Sequence, residues 1–114
     1  MPFILVNTSK HLEPSQKENI KTALGELITI IPNKTEKALM INISDGNTMY
    51  FGGEAMENCA YIDIRLYGSA PFQSKSELTE SVYKMLKDIV GLTENQIYIS
   101  FSEHSTWGTM GNLK

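Results

Sequence analysis

The chain has 114 residues, 41% of them hydrophobic and 20% charged, with a formal net charge of −3 and a single cysteine, Cys59. That length suits one domain with a core, residues 1–114, and is too short for two. The near-balanced charge argues against nucleic acid and an anionic membrane surface as partners, a lone cysteine excludes an internal disulfide, and no apolar stretch reaches the length of a membrane span.

The chain opens Met1-Pro2, followed at once by an apolar run. Phe3 to Thr8 reads as a short buried strand, aromatic and β-branched, ended by Asn7, Thr8 and Ser9. If Met1 is removed, the ring nitrogen of Pro2 becomes a secondary amine able to accept a proton. A Met-Pro start also occurs simply because a small second residue permits removal of the methionine, and a buried first strand needs no catalytic explanation.

Ser15 and Glu18 have the spacing of a capping box, so a helix is expected to begin near Pro14-Ser15. Ile20, Leu24, Leu27 and Ile31 recur at helical spacing, opposite Lys17, Glu18 and Lys21, and Pro32-Asn33 stops the helix. Ala38 to Ile43 reads as a second strand, closed by the turn signal Ser44-Asp45-Gly46-Asn47. Paired glycines follow at Gly52-Gly53. The pattern then begins again: a strand from Cys59 to Tyr67, a loop over 68–73, a second capping box at Ser74 and Glu77, and a helix with Leu78, Val82, Met85, Leu86 and Ile89 on its apolar face. Gly91 is placed to end that helix, and Ile97 to Ser102 forms a fourth strand.

Strand-helix-strand is therefore written twice, a degenerate internal repeat visible in pattern rather than identity. Right-handed crossovers then give an α+β, two-layer fold: two β-α-β units related by a pseudo-two-fold, one four-stranded mixed sheet, and both helices on one face. Alternation sends Ile62, Ile64 and Leu66 toward the helices and Tyr61, Asp63, Arg65 and Tyr67 to the far side, and sends Tyr98, Ser100 and Ser102 outward from the fourth strand. A far face of tyrosines among charges is too aromatic for plain solvent and too polar for a dry core, which points to cover by further subunits.

The opening Met-Pro-Phe-Ile-Leu-Val-Asn-Thr, Lys34 ahead of the second strand, Phe51-Gly52-Gly53, Cys59-Ala60, Gly68, Ile97-Tyr98-Ile99-Ser100-Phe101 and Trp107-Gly108 resemble, in order and nearly end to end, macrophage migration inhibitory factor and its tautomerase relatives. The resemblance implies a homotrimer with active sites between subunits, interconverting the keto and enol forms of α-keto acids such as phenylpyruvate or isomerising dopachrome-like compounds. It implies Pro2 as catalytic base, Lys34 as the residue that attracts the substrate carboxylate, Tyr67 as donor of a backbone N–H, and Tyr98 as a residue supplied by the neighbouring subunit. Ser100 stands where the family usually has a substrate-binding asparagine. The usual aromatic near the C-terminus is absent, and Trp107 is the candidate to supply part of that wall. Cys59 is followed three positions later by Ile62 rather than a second cysteine, so thiol-disulfide chemistry is not expected.

A base with a conjugate acid titrating near neutrality suits proton abstraction next to a carbonyl, and burial lowers an α-amine from its usual range of about 7.7 to 8.0. Apart from the resemblance, Lys34 reads as a solvated loop lysine like Lys10 and Lys37, and Tyr98 and Trp107 as interface filling. His11 and His104 have no metal-ligating company, so neither metal nor cofactor is expected, and Glu103-His104 reads as a surface pair. The alternative function is a cytokine-like or receptor-binding protein with a vestigial pocket. The expected location is cytoplasmic, with export by a route independent of a signal peptide left open.

Overall fold

A computed structural model of the chain describes residues 1–114. Its elements in chain order are β1 (Pro2–Thr8), α1 (Pro14–Leu27), β2 (Met40–Ser44), a hairpin of β3 (Tyr50–Phe51) and β4 (Glu54–Ala55), β5 (Ala60–Tyr67), α2 (Phe72–Val90), β6 (Ile97–His104), and a terminal hairpin of β7 (Gly108–Thr109) and β8 (Asn112–Leu113). The sheet runs β2-β1-β5-β6. β1 pairs in parallel with β2, and β5 with β6, as each crossover helix requires. Where the two repeats meet, β1 and β5 run antiparallel, Pro2 opposite Leu66 and Ile4 opposite Ile64. A two-fold axis through the sheet between its central strands reverses one relative to the other, so the mixed sheet follows from the repeat.

Alternation decides the core. Ile4, Val6, Ile62, Ile64 and Leu66 point to one side and pack with Ile20, Leu24 and Ile28 of the first helical segment and Leu78, Val82, Leu86 and Val90 of α2. These side chains are almost fully buried, so removal from water stabilises the two-layer sandwich by about 1.5 to 3 kcal/mol for each large aliphatic. Along the opposite face, Tyr61 and Arg65 remain exposed, while Asp63 is buried beneath its ion pair with Arg65.

Several boundaries differ from the sequence reading, each for a local reason. The first helix starts at Pro14-Ser15 as expected, but neither Ser-x-x-Glu box forms a cap. α1 begins on Pro14, whose missing N–H and fixed φ suit a first helical position, and Gln16 Oε1 accepts the Glu13 N–H at 2.9 Å. α2 begins directly after Pro71, leaving Ser74 and Glu77 inside the helix. Ile31 does not extend α1, which ends at Leu27 with a 3-10 turn over Ile28–Ile30. The β-branched run resists helix, and Ile31 is pushed to extended backbone by Pro32 behind it. Ala38 falls in a 3-10 turn, so β2 starts at Met40, and as an edge strand it is only partly buried. β6 continues past Ser102 to His104.

Two further features position the site. Gly52 and Gly53, at φ 62° and 85°, form the tight turn between β3 and β4, as their pairing indicated. At the chain's end, Trp107 and Lys114 exchange backbone hydrogen bonds of 3.4 and 3.0 Å, which closes the last hairpin. No helix is long and apolar enough to cross a membrane.

Candidate active site

At the beginning of β1 the sheet opens into a cleft of about 720 Å³, bordered by Met1, Pro2 and Phe3, Met40 of β2, Arg65 of β5, His104 of β6, and Trp107 through Met110 of the terminal hairpin. Lys37 and Ala38 of the 3-10 turn before β2 complete it. The sequence accounts for this opening. Pro2 can contribute no N–H to a ladder, and strand pairing begins with it. The segment from Pro32 enters β2 beside the start of β1, bringing Lys37 to the cleft and Lys34 to the Tyr67 carbonyl.

Four of the six candidates from the sequence converge here. The Lys34 ammonium donates to the Tyr67 carbonyl at 2.9 Å. The Tyr67 N–H donates to the Met1 carbonyl at 3.3 Å, and Pro2 and Trp107 border the cleft itself. Gly68, at φ 82°, turns the chain directly after Tyr67, and its N–H donates to the His104 carbonyl at 2.8 Å. Glu103 fixes the following loop by accepting the Ala70 N–H at 2.7 Å and pairing with Lys75 at 3.3 Å. These contacts hold the Glu103 carboxyl below its usual range, the backbone N–H contributing most.

Electrostatically the cleft is a cationic place. Burial pushes the Met1 amine down from 8.0 to about 6, helped by the charge and hydrogen bond of Lys34. No carboxylate borders the cleft. Arg65 lies 5.9 Å from the Phe3 ring centroid and is steered by Asp63, whose Oδ2 accepts from its Nη2 at 3.0 Å and its Nε at 3.2 Å.

Tyr98 and Ser100 are not in this cleft. They lie toward the other end of β6, about 20 Å from His104 for Tyr98 at the usual rise per strand residue. Tyr98 is 65% exposed, its ring 5.4 Å from that of Phe51, and the Ser100 hydroxyl hydrogen-bonds the Tyr61 hydroxyl. Within one chain they therefore form a second location on the outer sheet face.

Glu103 and His104 are not a surface pair. Adjacent strand residues point to opposite faces, so Glu103 reaches the α2 side while His104 turns into the cleft, its ring edge-on to Trp107 at 5.7 Å. His104, Met40 and Met110 are bordering residues that the sequence reading did not select. For His104 the signal was present: the alternation placing Tyr98, Ser100 and Ser102 outward places His104 outward as well. No group of three or more His, Cys, Asp or Glu side chains converges anywhere in the chain.

Comparison with known proteins places this geometry in context. The family model described as macrophage migration inhibitory factor matches residues 1–112. A macrophage migration inhibitory factor homolog of Brugia malayi is 25% identical over 101 residues, covering 89% of this chain and 86% of that protein. Among solved structures, Leishmania major MIF2 superposes with a TM-score of 0.89 at 21% identity, covering 100% of this chain and 97% of the other. The macrophage migration inhibitory factor-like protein of Entamoeba histolytica gives 0.86 at 21% identity, covering 99% and 98%. At such identities the structural likeness establishes the shared fold.

Proposed function

The chain belongs to the macrophage migration inhibitory factor family, and from that premise we propose that it is a keto-enol tautomerase acting on α-keto acids such as phenylpyruvate, with dopachrome-like compounds as further substrates. Pro2 is the general base once Met1 has been removed. The observation that carries this reading is the position of the chain's first residues, which border a cationic, partly apolar cleft beside Lys34 and Tyr67.

With Met1 in place the Pro2 nitrogen is an amide and has no basic lone pair. Removing Met1 does two things at once: it converts that nitrogen to a secondary amine, and it releases the Tyr67 N–H from the Met1 carbonyl. An amine at this end of β1 experiences burial and the nearby Lys34 charge, the same influences that bring the Met1 amine to about 6. Both influences favour the unprotonated amine, the form that can take a proton from carbon.

In the proposed reaction the substrate carboxylate pairs with Lys34, and Trp107 packs against the ring. Pro2 takes a proton from the carbon next to the keto group. The electron pair of that C–H bond forms the carbon-carbon double bond, the carbonyl electrons move to oxygen, and the oxygen receives the proton. The Tyr67 N–H stabilises the developing negative charge on oxygen. In this account the protein is a homotrimer, and Tyr98 and Ser100 of one subunit complete the cleft of its neighbour. That arrangement accounts for an exposed tyrosine on a sheet face too aromatic for solvent. The protein acts in the cytoplasm and needs no cofactor.

The test is the rate of phenylpyruvate keto-enol conversion by the natural Met1-free protein and by Pro2→Gly. A large loss in the variant is expected, and equal rates would sink the proposal. A second reading is favoured by one observation: the Ser100 hydroxyl is already engaged by Tyr61. On that reading the protein is a receptor-binding, cytokine-like relative with weak catalysis, and both forms would show only trace turnover.

A further inference from the structure

Among buried side-chain nitrogens and oxygens, His104 Nε2 alone has no hydrogen-bond partner in the chain. Leaving such an atom unpaired costs free energy, and a ligand oxygen meeting it would remove that cost. The residue is held at its backbone and its ring meets Trp107. Its backbone lies in register with Tyr67, its carbonyl accepts the Gly68 N–H at 2.8 Å, and Trp107 meets it edge-on at 5.7 Å. It sits on a sheet strand, so its backbone and the face it projects from are set before any ligand arrives.

The cleft also has two ends. Met40, Trp107 and Met110 form an apolar side, whereas His104 borders the cleft from a strand in register with Tyr67, whose carbonyl accepts from Lys34 just beyond the lining. We propose that His104 is a substrate-binding residue of this cleft, its Nε2 donating a hydrogen bond to an oxygen at the carboxylate-bearing end of an α-keto acid. The proposal rests on the tautomerase reading and deepens it. With the Lys34 ammonium and the Tyr67 N–H, His104 supplies a third donor, each from a different segment of the chain. Three donors facing an acceptor-rich α-keto acid with no competing carboxylate form a consistent anion cradle.

Benzoylformate separates binding from turnover, because it is an aromatic α-keto acid with no hydrogen on the carbon next to its keto group and cannot enolise. Calorimetric titration of the Met1-free native protein, His104→Phe and His104→Gln with benzoylformate tests the assignment. The native protein is expected to bind, His104→Phe to bind about tenfold more weakly, and His104→Gln to recover most of the loss through its side-chain N–H, with all three proteins sedimenting alike. Equal affinity of His104→Phe and native protein overturns the proposal, as does no recovery in His104→Gln or no binding by the native protein. A change in sedimentation with affinity unaltered also overturns it, making His104 an interface residue. Should His104→Phe fail to fold, the comparison of His104→Gln with His104→Ala carries the same test. The two claims fail separately. Equal phenylpyruvate rates for native protein and Pro2→Gly sink the tautomerase reading even where His104 governs benzoylformate affinity, and the converse pattern sinks only the His104 assignment.

Discussion

Lys34 Nζ donates a 2.9 Å hydrogen bond to the backbone carbonyl of Tyr67, joining two segments 33 positions apart. That bond brings an ammonium to the start of β1, where the Met1 amine lies within its influence. The proposed chemistry of the cleft depends on this relationship.

Lys34→Ala removes the charge-assisted contact to the substrate carboxylate and leaves the partly exposed Tyr67 carbonyl accessible to water. A charged hydrogen bond contributes about 1.5 to 3 kcal/mol, so kcat/KM for phenylpyruvate is expected to fall about 10- to 100-fold, chiefly through KM. The melting temperature should move little. Steady-state kinetics beside a thermal melt checks both parts.

The pH dependence has a defined sign. A base works only when unprotonated, so kcat/KM is lost as pH falls through the amine's pKa. Burial and the Lys34 charge, which bring the Met1 amine down to about 6, act on an amine at this end of β1 in the same direction, so the acid limb lies below the ordinary α-amine range. Lys34→Ala should move this acid limb upward, since the lysine charge disfavours a second cation nearby. In protein that retains Met1, the amine's folded pKa lies below its unfolded value, so the unfolded chain binds more protons between about 6 and 8. Stability should therefore rise with pH across that window and be lowest below about 6, which denaturant titrations at several pH values would show.

Tyr98 yields a complementation test of the homotrimer. If it completes the neighbour's cleft, Tyr98→Ala and Pro2→Gly proteins should each be poorly active. Mixed trimers formed by refolding the two together should regain part of the activity, because some clefts then pair a native Pro2 with a native Tyr98. Mixtures no more active than the separate variants would contradict subunit sharing.

Ile64 is fully buried between the sheet and the helices, in register with Ile4 on one side and Phe101 on the other. Ile64→Ala leaves a cavity there and should destabilise the protein by about 2 to 5 kcal/mol in denaturant unfolding, more than any cleft substitution above.

Much of the fold was legible because its signals are periodic. Ile62, Ile64 and Leu66 alternate as a half-covered strand must, and Gly91 ends α2 in the left-handed conformation at φ 78°. Helix caps were less legible: the first helix starts at Pro14 as expected but is capped by Glu13 rather than Ser15, and Pro71 starts the second ahead of Ser74. The strands of two residues, β3, β4, β7 and β8, are too short to display a period at all. In the site, the grouping of Pro2, Lys34, Tyr67 and Trp107 depends on the central β1 and β5 pairing, which local pattern does not encode. His104 was hidden by reading two neighbouring polar residues as partners, when a strand sends them to opposite faces.

The most direct measurement of the central claim compares one preparation before and after aminopeptidase removal of Met1, with intact mass and phenylpyruvate keto-enol conversion recorded on both. The account predicts that activity appears with the species lighter by one methionine residue and is absent from the species that retains it. Equal activity in the two species would contradict Pro2 as the base.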